Sequence, residues 1–186
     1  LYMPELPEIE TVRRVTGPLL LGRRIEKAEV SREKIIASPS VPEFVSAVEG
    51  RRITDVGRRA KILLVFLDDG SHLVIRFGMT GALLCVPSSD PVHKHARVTF
   101  TFDDGTRAEF RDMRMFGHIW LISKDTEDGL SGIDEVGLEP DDPCICGKLL
   151  KEMLGDSSRP VKSALLDQSK VCGLGNIFSD EVLWRS

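Results

Sequence analysis

The sequence predicts an α+β protein on three observations: a helical head, a long middle of short strands and tight turns, and a helical tail after an acidic break. The head reads as a helix from Glu5 to about Leu20. Ile9, Val12, Val15 and Leu19 recur there at helical spacing, with Arg13 and Arg14 on the other face. Gly22 marks its end. Residues 24–30 alternate as a strand, and Pro42–Val48 reads as a short helix closed by Gly50.

From Arg51 to Ile122 the pattern is that of strands. The candidates are Ile53–Gly57, Lys61–Leu67, Leu73–Phe77, Ala82–Val86, Val98–Phe102, Arg107–Arg111 and His118–Ile122. Asp68-Asp69-Gly70 and Asp103-Asp104-Gly105 each lie between two such runs, which signals hairpins. Many short strands with regular turns argue for an antiparallel sandwich or barrel. Asp125–Pro143 reads as loop from its Gly, Pro and acid content. Helical spacing then returns at Gly147–Leu154, at Pro160–Asp167 and from about Asn176. The division expected is a domain over 4–124, an acidic linker over 125–146 and a helical unit over 147–186.

At 186 residues and 41% apolar content, the chain is long enough for one good core and a second small unit. It has no apolar run of membrane-spanning length and no basic-then-apolar leader, so a soluble intracellular protein is expected. Cys85, Cys144, Cys146 and Cys172 form no C-x-x-C pair and no regular framework; they read as reduced thiols, with no metal expected within this chain. The net charge of −4 is unevenly spread. Eight acids and no Lys or Arg fall between Asp125 and Asp142, leaving the remainder at a net +4. An acidic loop set apart from a basic face is compatible with binding a phosphate backbone.

Four segments carry chemistry. Pro4-Glu5-Leu6-Pro7-Glu8 places a carboxylate beside a proline whose nitrogen processing would free. An α-amino group titrates near about 8, so a fair fraction is neutral and nucleophilic at physiological pH. The plainer reading is that Pro4 and Pro7 start the first helix. Arg58-Arg59-Ala60-Lys61 leads into a strand and suits a phosphate-facing surface as well as a solvated strand end. Gly78-Met79-Thr80-Gly81 and Asp112-Met113-Arg114-Met115-Phe116-Gly117 hold apolar side chains beside glycine turns, where contact with a partner explains them better than core packing. Leu165-Leu166-Asp167-Gln168 runs into Gly173-Leu174-Gly175-Asn176, glycines that permit close backbone approach ahead of a helix start that attracts anions.

In this order, the four segments resemble the formamidopyrimidine-DNA glycosylase/endonuclease VIII family, whose members excise oxidised bases from DNA. The resemblance covers nearly the whole chain. It implies a two-sheet antiparallel β-sandwich flanked by helices, followed by the start of a helix–two-turns–helix domain. It implies Pro4 as the nucleophile at C1′, Glu5 as its proton-exchanging partner, and Lys61 directed at a phosphate beside the lesion. Met79 would fill the void left by the damaged nucleotide, Arg114 would bond the orphaned base, Phe116 would wedge between base pairs, and Asn176 would bind a phosphate.

The activity implied is that of a bifunctional glycosylase and AP lyase for oxidised purines, 8-oxoguanine and formamidopyrimidines. The alternatives are an endonuclease VIII-like enzyme for oxidised pyrimidines, a non-catalytic damaged-DNA-binding module, and an interaction protein whose motifs are coincidental. The partner expected is double-stranded DNA with oxidised bases or abasic sites, bound by a monomer in the bacterial cytoplasm. Family members continue past the position of Ser186 with the loop that caps the extruded base and a four-cysteine zinc finger, so one structural zinc is expected outside this chain. Leu1-Tyr2-Met3 lock the Pro4 nitrogen in a tertiary amide, and the chain as written is expected to be inactive. Leu1 and Tyr2 read as a misassigned start or an artificial extension.

Overall fold

The computed structural model of the protein describes residues 4–124, 131–155 and 158–186. Leu1, Tyr2 and Met3 lie outside the described residues, as does part of the acidic run, 125–130. The chain opens with α1 (Leu6–Leu20), then β1 (Ile25–Val30), a 3-10 turn at Glu33–Ile35, β2 (Ile36–Ser38) and α2 (Val41–Val48). Seven strands follow: β3 (Ile53–Arg59), β4 (Ile62–Leu67), β5 (His72–Arg76), β6 (Gly81–Pro87), β7 (Ala96–Phe102), β8 (Thr106–Asp112) and β9 (His118–Ile122). The helical tail is α3 (Gly147–Leu154), α4 (Val161–Leu165) and α5 (Asn176–Arg185).

The strands form a two-sheet sandwich. One sheet has the order β1-β7-β8-β6, the other β2-β9-β5-β4-β3. The expected antiparallel pairing holds except at β2, which runs parallel to β9 and makes the larger sheet mixed. Three residues are too few to show a period of two, so β2 left no trace in the sequence. Both Asp-Asp-Gly segments are the predicted hairpin turns. Asp69 accepts the Ser71 N–H at 2.9 Å and Asp104 accepts the Thr106 N–H at 3.0 Å, each side chain closing the turn on its own backbone.

Alternation sends β4's Leu63 and Val65 into the core between the sheets, and Ile62 to the other face, where it packs with Val74, Ile122, Leu64, Trp120 and Ile133. Phe44, Phe102 and Phe110 are among the largest fully buried side chains. Phe77 packs against Phe110 with ring centroids 5.9 Å apart. The α1 stripe differs from expectation: Ile9, Thr16, Gly17 and Leu20 are buried, whereas Val15 and Leu19 are 62% and 44% exposed. The inward face therefore trades two large apolar residues for two small ones, which lets α1 lie close on β3 and β6.

From residue 131 onward, the expected linker is docked. Gly137 N–H donates to the Gln168 carbonyl at 2.8 Å, Leu138 N–H to Lys170 at 2.9 Å, and Cys172 N–H to Leu138 at 2.9 Å. Glu139 then reaches the sandwich. It accepts the Ala60 N–H at 2.6 Å, Arg58 at 2.7 Å and Arg59 at 3.1 Å. Arg58 also holds Glu10 of α1 at 3.2 Å. Burial opposes the charged form of Glu139, but the Ala60 N–H and the two guanidiniums outweigh it, and the carboxyl lies below its ordinary value of 4.5. The basic pair expected to face phosphate is thus bound to carboxylates of the protein itself.

Two substitutions test this packing. Phe110→Ala should lower stability by about 3–5 kcal/mol in urea unfolding, because the ring is enclosed between the sheets. Glu139→Gln should cost about 2 kcal/mol at neutral pH by removing the carboxylate that two guanidiniums share. A lowered carboxyl pKa stabilises above its unfolded value and loses that contribution on acidification. The gap between the parent and Glu139→Gln should therefore close as pH falls below 4.5.

Candidate active site and nucleic-acid interface

The amino-terminal segment is fastened to the helical tail by Glu5, which is 2% exposed. Its carboxylate accepts N–H bonds from Gly175 at 2.8 Å, Ile177 at 2.8 Å and Phe178 at 3.2 Å, the first turn of α5. Leu6 N–H donates to the Gly173 carbonyl at 3.1 Å beside it. The helix start that the sequence offered to a phosphate is occupied by the protein's own carboxylate, which satisfies N–H groups a helix cannot pair internally. Gly175 is required by this contact: a Cβ there would lie 2.4 Å from the Glu5 carboxyl carbon. At the head of α1, Glu8 accepts the Glu5 N–H at 2.9 Å.

Pro4 and Lys61 line one pocket of about 580 Å³, within the range in which proteins hold small molecules. Phe116 stands on its wall, with Asp167, Gln168 and Ser169 from the helical tail. Burial pushes the Lys61 ammonium below its ordinary value of 10.5, and the Glu5 carboxylate and Cys172 oppose that shift. The buried Cys172 thiol, 3.7 Å from Arg59, is pushed up to about 11 by burial and Glu139.

Met79 is half-buried in the turn between β5 and β6, and Arg114 stacks over the Phe116 ring at 4.8 Å. Phe116 is 45% exposed, so neither aromatic packing nor the core accounts for its position. Asn176 is exposed as the first residue of α5. The structure therefore gathers Pro4, Lys61 and Phe116 in one cleft, sets Asn176 beside the helix start that Glu5 caps, and carries Met79 and Arg114 on two adjoining turns.

Three groups escaped the sequence reading. Asp112 is fully buried, and accepts from the Thr80 hydroxyl, from the Gly117 N–H at 2.7 Å and from the Arg114 N–H at 3.2 Å. Its signal was present: Ala108, Phe110 and Asp112 are alternate residues of β8, so a carboxylate occupies an inward position. Glu139 stood out only as one acid among eight. Arg76, His118 and Trp120 form part of the pocket wall and had no motif around them. Arg76 lies over the Trp120 ring at 5.7 Å, and its buried Nε has no partner among the described residues.

No group of three or more His, Cys, Asp or Glu is arranged to hold a metal among the described residues. The cysteines do not fit a zinc: Cys172 is enclosed, Cys85 is half-buried in β6, and Cys144 and Cys146 are exposed before α3. Among the described residues no helix is long and apolar enough to cross a membrane.

Known proteins share this fold. Residues 3–119 match the family described as formamidopyrimidine-DNA glycosylase N-terminal domain, and residues 136–186 match the formamidopyrimidine-DNA glycosylase H2TH domain. The formamidopyrimidine-DNA glycosylase of Pelotomaculum thermopropionicum is 43% identical over 184 residues, covering 99% of this chain and 67% of the relative. That of Bacillus subtilis is 41% identical over 185 residues, with the same coverage. The Lactococcus lactis enzyme non-covalently bound to DNA containing an AP site superposes with a TM-score of 0.89 at 32% identity, over 97% of this chain and 68% of that one. Its complex with DNA containing FAPY-dG gives 0.89, at the same identity, over 67% of that chain. The chain thus spans about two thirds of the length of these relatives. With both matched segments on one fold and this degree of identity, the chain belongs to the formamidopyrimidine-DNA glycosylase family.

Proposed function

We propose that this chain supplies the nucleophile and the intercalating turns of a base-excision-repair glycosylase with AP lyase activity, acting as a monomer on oxidised purines in duplex DNA. One observation supports it above the rest: Pro4 and Lys61 share a pocket whose wall bears Phe116. Solved relatives hold DNA with an abasic site or a formamidopyrimidine lesion, which points to the same substrate class.

Once freed by cleavage after Met3, the Pro4 nitrogen attacks C1′ of the extruded nucleotide and the base departs with a proton. The nitrogen's own proton passes to the ring oxygen as the C1′–O4′ bond breaks and the sugar opens, leaving a cationic iminium. That electron sink acidifies the C2′ proton, whose removal expels the 3′ phosphate; a second elimination expels the 5′ phosphate. Lys61 offsets the charge of a phosphate beside the lesion. Met79, Arg114 and Phe116 offset part of the few kcal/mol lost when a base leaves the stack. Glu5 positions Pro4 through its bonds to α5; Oε2 accepts two of the three and Oε1 one, which leaves a lone pair on Oε1 for proton exchange with the sugar. A structural zinc, in this reading, belongs to sequence beyond residue 186.

Borohydride trapping tests the reading. The natural polypeptide carrying this sequence, beginning at Pro4, should form a covalent adduct with duplex DNA containing 8-oxoguanine or formamidopyrimidine. The form that retains Leu1-Tyr2-Met3 should form none. Duplex binding without trapping by the Pro4-initiated form would instead identify a damaged-DNA-binding module, and preferential trapping on oxidised pyrimidines would reassign the substrate.

A further inference from the structure

We propose that Asp112 and Thr80 lock the two intercalating turns into one rigid unit, so that Met79 and the Arg114–Phe116 pair enter the duplex together. The inference rests on the reading of those turns given above and adds positioning residues to it. Three separate stretches of chain converge on Asp112. Its Oδ1 accepts from the Thr80 hydroxyl in one turn and from Arg114 N–H in the other, at 3.2 Å. Its Oδ2 accepts the Gly117 N–H at 2.7 Å, closing the second turn on itself. Its N–H donates to the His95 carbonyl at 2.9 Å, and its own carbonyl accepts Arg97 Nε at 2.7 Å. A fully buried carboxylate is tolerated when its oxygens are bonded in this way, and each bond lost leaves a costly residue of unpaired charge.

Thr80 is the relay between the turns. Its hydroxyl donates to Asp112 and accepts the Arg114 N–H at 3.0 Å, so one oxygen holds both. The backbones also touch: a Cβ at Gly78, whose φ is +60°, would lie 2.5 Å from the Phe116 carbonyl carbon. Met115, between Arg114 and Phe116, has a φ of +56°, a conformation uncommon for a non-glycine residue. Strain of this kind persists where surrounding bonds over-determine the backbone. The Asp112 carboxylate bonds on both sides of Met115, at residues 114 and 117, supply that restraint.

The test uses the natural polypeptide beginning at Pro4, with Thr80→Val and Thr80→Ser as the informative pair. Valine keeps the shape and removes the relay; serine keeps the hydroxyl. A duplex with 2-aminopurine next to the lesion reports unstacking by fluorescence, independently of any bond cleavage. Thr80→Val should reduce the unstacking signal and excision of the oxidised base by about tenfold, the equivalent of one hydrogen bond to a charged group. Thr80→Ser should restore both. Trapping on single-stranded abasic DNA, which has no stack to enter, should be unchanged in either variant.

A Thr80→Val protein that unstacks the duplex as well as its parent overturns the coupling. So does equal impairment in valine and serine variants, or a loss of single-stranded trapping as large as the loss on duplex, since either marks a general defect of the fold. A parent that traps nothing defeats the glycosylase reading alone, because the fluorescence comparison still decides whether the turns act together.

Discussion

The buried Glu5 carboxylate at the start of α5 is the contact on which the rest of the arrangement depends. It joins residue 5 to residues 175, 177 and 178, and so ties the sandwich to the helical tail one residue from Pro4. Hydrogen bonds to a charged group contribute about 1.5–3 kcal/mol each, and desolvation of the carboxylate offsets part of that. The gain is positional as much as energetic. Pro4 is held one residue from the clasp, facing a pocket built by both halves of the chain, and Asn176 is presented to solvent from the same helix turn.

Charge in this protein is largely committed to internal contacts. Arg58 and Arg59 are spent on Glu139 and Glu10, and on the outer face of the smaller sheet Arg107 and Arg111 flank Glu109 at 2.6 and 2.7 Å. A count of basic residues therefore overstates what is available to a phosphate backbone. Lys61 differs from these: it lines the pocket and is drawn below its ordinary pKa by burial, so an approaching phosphate would favour its charged form. Glu139, from the acidic run, is a strut between the sandwich and the helical tail.

Much of the fold was legible because periodicity and turn chemistry act locally. The seven strand candidates between Arg51 and Ile122 fall on β3 to β9, and the third tail helix begins at Asn176 as read. The α1 stripe misled because Thr16 and Gly17, rather than Val15 and Leu19, face the sheet, and apolarity alone does not record how close a helix must come. At the site, Pro4, Lys61 and Phe116 were found by motif and do meet in space. The Glu5 clasp, the Asp112–Thr80 lock and the docking of Glu139 were not, because each joins residues 32 to 173 positions apart. Glycines 173 and 175 were rightly singled out for close approach, but what approaches is Leu6 and Glu5.

Amide hydrogen exchange at Gly175, Ile177 and Phe178 tests the central claim most directly. In the parent these three amides should be protected, and Glu5→Ala should speed their exchange by about tenfold or more while amides in the core of the sandwich stay protected. Exchange at all three that is indifferent to the loss of this side chain would show that the clasp does not hold the two halves together.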